Sequence, residues 1–253
     1  MYEHYGNAVA GNPQQLRFST QANGFGDARL TANYWMLDPL KHMNGNFSVG
    51  LGIKLPTGNA NVIDEVHRRK SDGTDYTVQK AVDQSIQLGD GGVGFNLEIQ
   101  GYQQLFTRTS LYYNGFYMSN PRNTNTTQQN APDKPVTDLM VQYHSVADQY
   151  AGRVGLNYAL APKAGIGATL GARIEGIPAY DLIGDSDGFR RPGFIFSIEP
   201  GISYSTAKNT FFVSVPLATQ RNRIKSANDW VTGKHGDAAF SDYFISATVT
   251  HRF

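Results

Sequence analysis

Few residues in this chain have the types and spacing that chemistry requires. A serine hydrolase needs a hydroxyl, a histidine to take its proton, and an Asn or Asp to orient that histidine. The one adjacent histidine–serine pair is His144-Ser145. Neighbours along a strand point to opposite sides, so the pair is poorly placed for proton transfer, and no catalytic residue is assigned. The other histidines, His4, His42, His67, His235 and His251, are scattered and match neither H-x-x-H nor H-E-x-x-H. The chain has no cysteine, which excludes disulfides and thiolate metal sites. Asp185-Ser186-Asp187-Gly188 offers oxygen ligands suited to Ca²⁺ but lacks the twelve-residue loop motif, so it is read as an Asp/Gly turn. Gly89-Asp90-Gly91-Gly92-Val93-Gly94 leads into a strand, whereas phosphate cradles lead into a helix. No metal, nucleotide or other cofactor is expected.

What remains is a set of charged and amide residues at alternate positions: Arg29, Lys54, Asn96, Glu98, Arg153, Asn157, Arg173, Glu175 and Glu199. They could line a polar path for a solute, or pair into a network that fills a narrow interior, since buried charges must be paired. Their mixed signs predict no strong ion selectivity. Asp181, Asp185, Arg190 and Arg191 form a second set, placed to gate a mouth or to bind anionic lipopolysaccharide; a solvated loop pair is the simpler alternative.

The elements that position these residues follow from period-two alternation. Phe47, Val49, Leu51, Ile53 and Leu55 share one face, and Ser48, Gly50, Gly52 and Lys54 the other. The same sorting predicts strands over 27–36, 47–55, 93–100, 150–158, 166–175, 194–204, 211–217 and 243–253. The segment 109–119 carries aromatics on both faces but sits between turn regions, and is read as a further strand. These nine strands are about 9–13 residues long, the length a membrane-spanning β-strand needs, against about 5–6 for globular strands. Short connections at 39–46, 102–106, 161–163 and 205–209 alternate with long polar ones at 58–90, 120–148, 177–192 and 222–239. Gly24–Asp27 and Gly89–Gly92 put Gly and Asp just before a strand, as does Gly236-Asp237, which is read as turn chemistry at a rim.

Composition sets the outer bounds. The chain of 253 residues is 40% hydrophobic and 17% charged, with net charge +1 and no dense Lys/Arg run, which argues against a nucleic-acid partner. Mean hydropathy is −0.40 and no apolar run approaches a membrane helix. A single all-β domain over residues 1–253 fits this length. In a soluble sheet the apolar face would turn in; in a membrane barrel it turns out and the polar face lines the lumen. Alternation allows both. Strand length, loop asymmetry and aromatics near strand ends favour the membrane barrel, with Tyr34, Tyr150, Tyr158, Phe194, Tyr204, Tyr243 and Phe253 as the interfacial girdles.

Several segments resemble the outer-membrane "meta-pathway of phenol degradation" family, whose members are often labelled transporters. They are Tyr34-Trp35-Met36-Leu37-Asp38-Pro39, Gly50-Leu51-Gly52-Ile53-Lys54-Leu55-Pro56-Thr57-Gly58, Asp83-Gln84-Ser85-Ile86-Gln87-Leu88-Gly89-Asp90-Gly91-Gly92, Asn120-Pro121-Arg122, Gly188-Phe189-Arg190-Arg191-Pro192-Gly193 and Gly236-Asp237-Ala238-Ala239-Phe240. The resemblance runs from about Gly24 onward. It implies an antiparallel up-and-down transmembrane β-barrel in the outer membrane of a Gram-negative bacterium. It further implies passive, porin-like passage of small aromatic or hydrophobic solutes, and no enzyme activity. The expected partners are outer-membrane lipid and lipopolysaccharide, the small solute, and the barrel-assembly machinery. The last would engage the C-terminal strand, whose final Phe253 resembles the terminal aromatic of such barrels. The alternatives are a structural, plugged barrel without transport and a soluble ligand-binding β-barrel. Residues 1–10 lack an export-signal pattern, and nine is an odd number where bacterial barrels use even ones. The chain is therefore expected to lack about three N-terminal strands of a roughly twelve-stranded barrel, with 15–20 as a candidate tenth strand.

Overall fold

The computed structural model describes residues 2–5, 17–70, 72–133, 138–236 and 241–252. All nine expected strands form. They are β1 (Ala28–Trp35), β2 (Gly45–Leu55), β3 (Gly94–Phe106), β4 (Thr109–Ser119), β5 (Gln149–Ala161), β6 (Ile166–Ile177), β7 (Gly193–Ser205), then β8 (Asn209–Ser214) continued by β9 (Leu217–Arg223), and finally β10 (Ser246–His251). Strands β8 and β9 both pair with β7 and occupy one position in the sheet. Between them lies Pro216, which has no N–H to give to a ladder.

Each strand pairs antiparallel with its neighbour in sequence, in the order β10-β8-β7-β6-β5-β4-β3-β2-β1. The sheet is strongly curled. Arg29 on β1 reaches Gln149 on β5 at 3.4 Å and lies over the Phe116 ring of β4 at 5.1 Å, although β1 and β5 are four ladder positions apart. Only a deep concave face brings such distant strands within side-chain reach. On the other flank Arg173 of β6 lies 5.1 Å from the Phe244 ring, just before β10.

The curl assigns the two faces. The apolar positions fall on the convex side: Leu170 is 60% exposed, and Leu30, Leu51, Leu97, Ile202 and Val249 are likewise exposed. The polar positions fall inside: Glu199 is 1% exposed, and Ser48, Lys54, Asn96, Ser197 and Ser214 are buried. Among the described residues the only buried Val, Ala or Met side chains are Val82, Met118, Ala131, Val146 and Ala147, near or in the long connections. The sheet therefore has no apolar core on its concave side.

The two-faced strand β4 explains its own pattern. Tyr112 faces inward and Tyr113 outward, and each ring lies over glycine in a neighbouring strand. A Cβ at Gly155 or Gly171 would fall 2.6 or 2.5 Å from the Tyr112 hydroxyl, and one at Gly101 would fall 2.5 Å from the Tyr113 ring. The glycines leave room for the aromatics.

Three expectations change. The last strand spans Ser246–His251 rather than 243–253, and Tyr243 makes only an isolated bridge to Leu217. Strand β3 runs on to Phe106 rather than ending at 100. Its last residues still pair, Tyr102 with Asn46 and Tyr112, and a two-residue turn joins Phe106 to Thr109. Of the expected strand 15–20, residues 15–16 lie outside the described residues, and Arg17–Thr20 does not join the curled sheet. Arg17–Thr20 pairs with Tyr2–Tyr5 in a separate two-stranded ribbon, and Phe18 of that ribbon stacks on His67 at 3.7 Å. Phe253 and residues 237–240 lie outside the described residues.

The long connections have their own structure. The first carries a hairpin of Ile63–Arg69 with Asp75–Ala81. The second pairs Thr124–Gln128 with Tyr143–Ser145. The last holds a short helix, Ala227–Thr232, closed at its start by a Ser226/Asp229 capping box and at its end by Gly233 at φ +69°. A replacement of Gly155 by Ala tests the packing of β4. The new Cβ would lie 2.6 Å from the Gly171 Cα and 2.7 Å from the Leu170 carbonyl oxygen, so backbone must shift. The expected cost is ~1–3 kcal/mol, read as a lower midpoint of thermal unfolding.

Candidate functional site

All nine expected lumen residues come together on the concave face, most of them in pairs. Arg153 sits opposite Asn114 on β4 and Arg173 on β6. Facing arginines repel, and each is neutralised along the wall. Arg153 Nη1 approaches Glu199 Oε1 at 3.4 Å and its Nε donates to Asn114 at 2.8 Å, while Arg173 Nη2 donates to Glu175 at 2.6 Å. Glu199 also accepts from the Ser214 hydroxyl at 2.7 Å. Glu98 accepts from Asn96 and, at 3.3 Å, from the Thr31 hydroxyl. Asn157 Oδ1, Asn96 Oδ1, Ser48 Oγ and Glu199 Oε2 are buried without a protein partner.

Above this wall the long connections are tied into a lid, and aspartates do most of the tying. Asp27, which precedes β1, accepts the Gly58 and Asp90 amides at 2.9 and 3.2 Å. Lys54, 2% exposed, bridges Asp27 at 3.9 Å and Asp90, joining the tops of β1, β2 and β3. Asp148, which precedes β5 and is fully buried, accepts the Asn120 amide at 2.6 Å, the Leu182 amide at 2.7 Å and the Tyr117 hydroxyl at 2.8 Å. Asp181 accepts the Asp148 amide at 2.8 Å and a two-pronged contact from Arg190, at 2.8 and 2.5 Å. Gln84 donates to the carbonyls of Ser145 and Phe189 at 3.1 and 3.0 Å, across three separate connections.

The mouth residues thus separate. Arg190 is 2% exposed and bonded to Asp181 and to the Ser145 hydroxyl, as a strut inside the lid. It is held there because Phe189 is laced to Tyr143 and Ser145 by backbone bonds of 2.8 and 2.9 Å. Arg191 donates to Asp83 at 2.6 Å. Asp185 accepts from the Asn123 amide at 3.1 Å, in a turn completed by Gly188 at φ +84°. Of the girdle set, Tyr34, Tyr158 and Tyr204 are exposed on the convex side near the short turns. Tyr150 and Phe194 are half-buried near the long connections, where Tyr243 is exposed.

Between lid and wall lies a cavity of about 510 Å³, lined in part by Arg29, Lys54, Gln84, Gln149, Glu175 and Arg191. Sequence reasoning missed Asp148, Gln84 and Asp83 as parts of the mouth. The Gly/Asp echo before strands carried the signal for Asp27 and Asp90, and Asp148 holds the same position before β5. The His144-Ser145 pair has no hydrogen bond across it: Ser145 is taken by Arg190, and His144 is buried beside Phe189.

No protein-family model matches the chain and no curated protein matches it.

Two groups of the lid, His144 and Asp83, are held well below their ordinary values. Burial pushes His144 down from its ordinary 6.5 to about 4; Asp83 opposes this, while Lys80 and Arg191 add to it. Burial would raise the Asp83 carboxyl, but the Arg191 and Ser85 hydrogen bonds outweigh it and hold Asp83 at about 2. A depressed histidine stabilises the fold fully above 6.5, and that stability is lost as pH falls towards 4. Asp83 keeps its charge throughout this window, so the stability that its ion pair contributes is lost only at lower pH. Limited proteolysis of the long connections should therefore speed up several-fold between pH 7 and pH 4.5. A His144→Gln variant should flatten that dependence. Separately, Asp148→Ala removes a buried carboxylate that accepts three hydrogen bonds, each worth ~1.5–3 kcal/mol when an ion is involved. Proteolysis at neutral pH should then begin near residues 120 and 182.

Proposed function

We propose that this chain forms the wall and lid of an outer-membrane β-barrel that passes small aromatic or hydrophobic solutes without catalysis. One observation carries the reading: apolar side chains cover the convex face, while charged and amide residues are buried on the concave one. Water would drive the opposite arrangement, whereas lipid outside and a polar lumen inside favour this one. Exposed Tyr34, Tyr158, Tyr204 and Tyr243 near strand ends suit the two membrane interfaces.

The membrane reading places a demand on the edges. Among the described residues β1 and β10 are each paired on one side only, and unpaired backbone is not tolerated in lipid. With nine ladder positions, β1 and β10 run in the same direction. Antiparallel closure therefore needs an odd number of further strands, and three would give a barrel of twelve.

A second reading, a plugged barrel without transport, is favoured by the paired wall charges and by the lid knots at Asp27, Asp148 and Asp181. Flux separates the two. Refolded in detergent together with the strands that closure requires, the chain should give a compact band that shifts on boiling, and in liposomes it should admit small uncharged solutes. A heat shift without flux would favour the plugged barrel. Full solubility without detergent would overturn the membrane reading.

A further inference from the structure

Among the described residues, the buried and half-buried cations of the wall and mouth other than Lys80 each have a carboxylate within ion-pair distance. Lys54 has Asp27 and Asp90, Arg153 has Glu199, Arg173 has Glu175, Arg190 has Asp181 and Arg191 has Asp83. Arg29 differs. Its guanidinium lies over the Phe116 ring at 5.1 Å and makes one long contact, 3.4 Å, to the Gln149 side-chain oxygen. Both contacts leave the planar fork of donors largely unspent.

Arg29 also lines the 510 Å³ cavity under the lid, a volume in the range that holds small organic ligands. The acidic residues around this space are committed elsewhere. Asp27 and Asp90 hold backbone amides and Lys54 at the rim, and Glu175 holds Arg173. Leu88, Met118, Ile177 and Ile195 supply an apolar lining. A cation with free donors, set against an aromatic ring and facing an apolar-lined cavity, matches one ligand chemistry. We propose that this cavity is a binding site for a small organic monocarboxylate with an apolar body, and that Arg29 receives its carboxylate.

The site rests on the reading of the concave face as a solute path, and it narrows the solute class. Arg29 pairs with the carboxylate through two parallel N–H···O bonds. The apolar body lies along Leu88, Met118 and Ile195, and Gln149 is released from its long contact. Paired mouth charges give no general anion preference; selectivity comes from this single unspent fork.

The test is calorimetric titration of the whole chain, refolded in detergent, with sodium hexanoate and with hexanamide as the uncharged match. Hexanoate should bind at least tenfold more tightly, and added salt should weaken it. Arg29→Gln should abolish the preference without changing hexanamide binding, and Arg29→Lys should restore part of it as a point charge without the fork. Arg29 is exposed on an edge strand, so these variants should keep the heat-shifted band. Lys208→Gln, at an exposed short turn away from the cavity, should leave the preference intact. Equal affinity for the two probes, no hexanoate binding, or a preference that survives Arg29→Gln would each overturn the site. Liposome flux distinguishes its failure from that of the channel. Arg29-dependent binding without flux would remove the channel and leave the site; flux without any hexanoate preference would do the reverse.

Discussion

Strand register is the constraint on which everything else depends. Side chains alternate with a period of two, so a slip of one residue between any two strands would move a whole set to the other face. In this sheet such a slip would carry Lys54, Glu98 or Arg153 to the convex side and leucines to the concave side. The ladders run without irregularity through the middle of the wall: Val154 faces Ala172, Leu156 faces Leu170, and Ala172 faces Ile198. Irregularities fall near turns at Tyr158/Ala161 and Gln104/Phe106, and at Phe196/Ser197 of β7, opposite Ala218 and Gln220 of β9. The charged network is thus a consequence of register, and it also guards it, because a slipped Glu199 would lose both Arg153 and Ser214.

The wall and the lid are held by different physics. Backbone ladders hold the wall, and the polar side chains on it are spaced by glycines such as Gly155 and Gly171. The lid has few ladders and depends on buried carboxylates that gather backbone amides from separate connections. Asp148 alone gathers two of them and a tyrosine hydroxyl. A carboxylate is suited to this task because it has about four acceptor positions and strengthens each bond with its charge.

Much of the fold was legible in the sequence because alternation is a local signal. The nine strands follow from it, including β4, where Tyr112 and Tyr113 obscure the pattern but turns flank it. The end of β3 was not legible, since Gln103 and Gln104 are polar on both faces and their pairing is set by β2 and β4. The wall half of the site was legible for the same reason as the strands. The lid half was not: Gln84 reaching Phe189, or Arg190 reaching Ser145, depends on how loops 45–105 residues apart come together, and no local pattern encodes that. The buried state of Arg190 was likewise invisible, because two adjacent arginines in a loop look solvated until their partners are in place.

The separation of wall and lid has a kinetic consequence. Neighbouring wall strands are also neighbours in sequence, and the four pairs joined by short turns can close as hairpins with little loss of chain entropy. Lid contacts are remote: Arg191 and Asp83 are 108 residues apart, and their meeting requires that β3 to β6 already stand in order. Assembly is therefore vectorial, with the wall first and the lid last. Until that final step the cavity is an open trough, and a ligand can enter it from the side that the lid later covers.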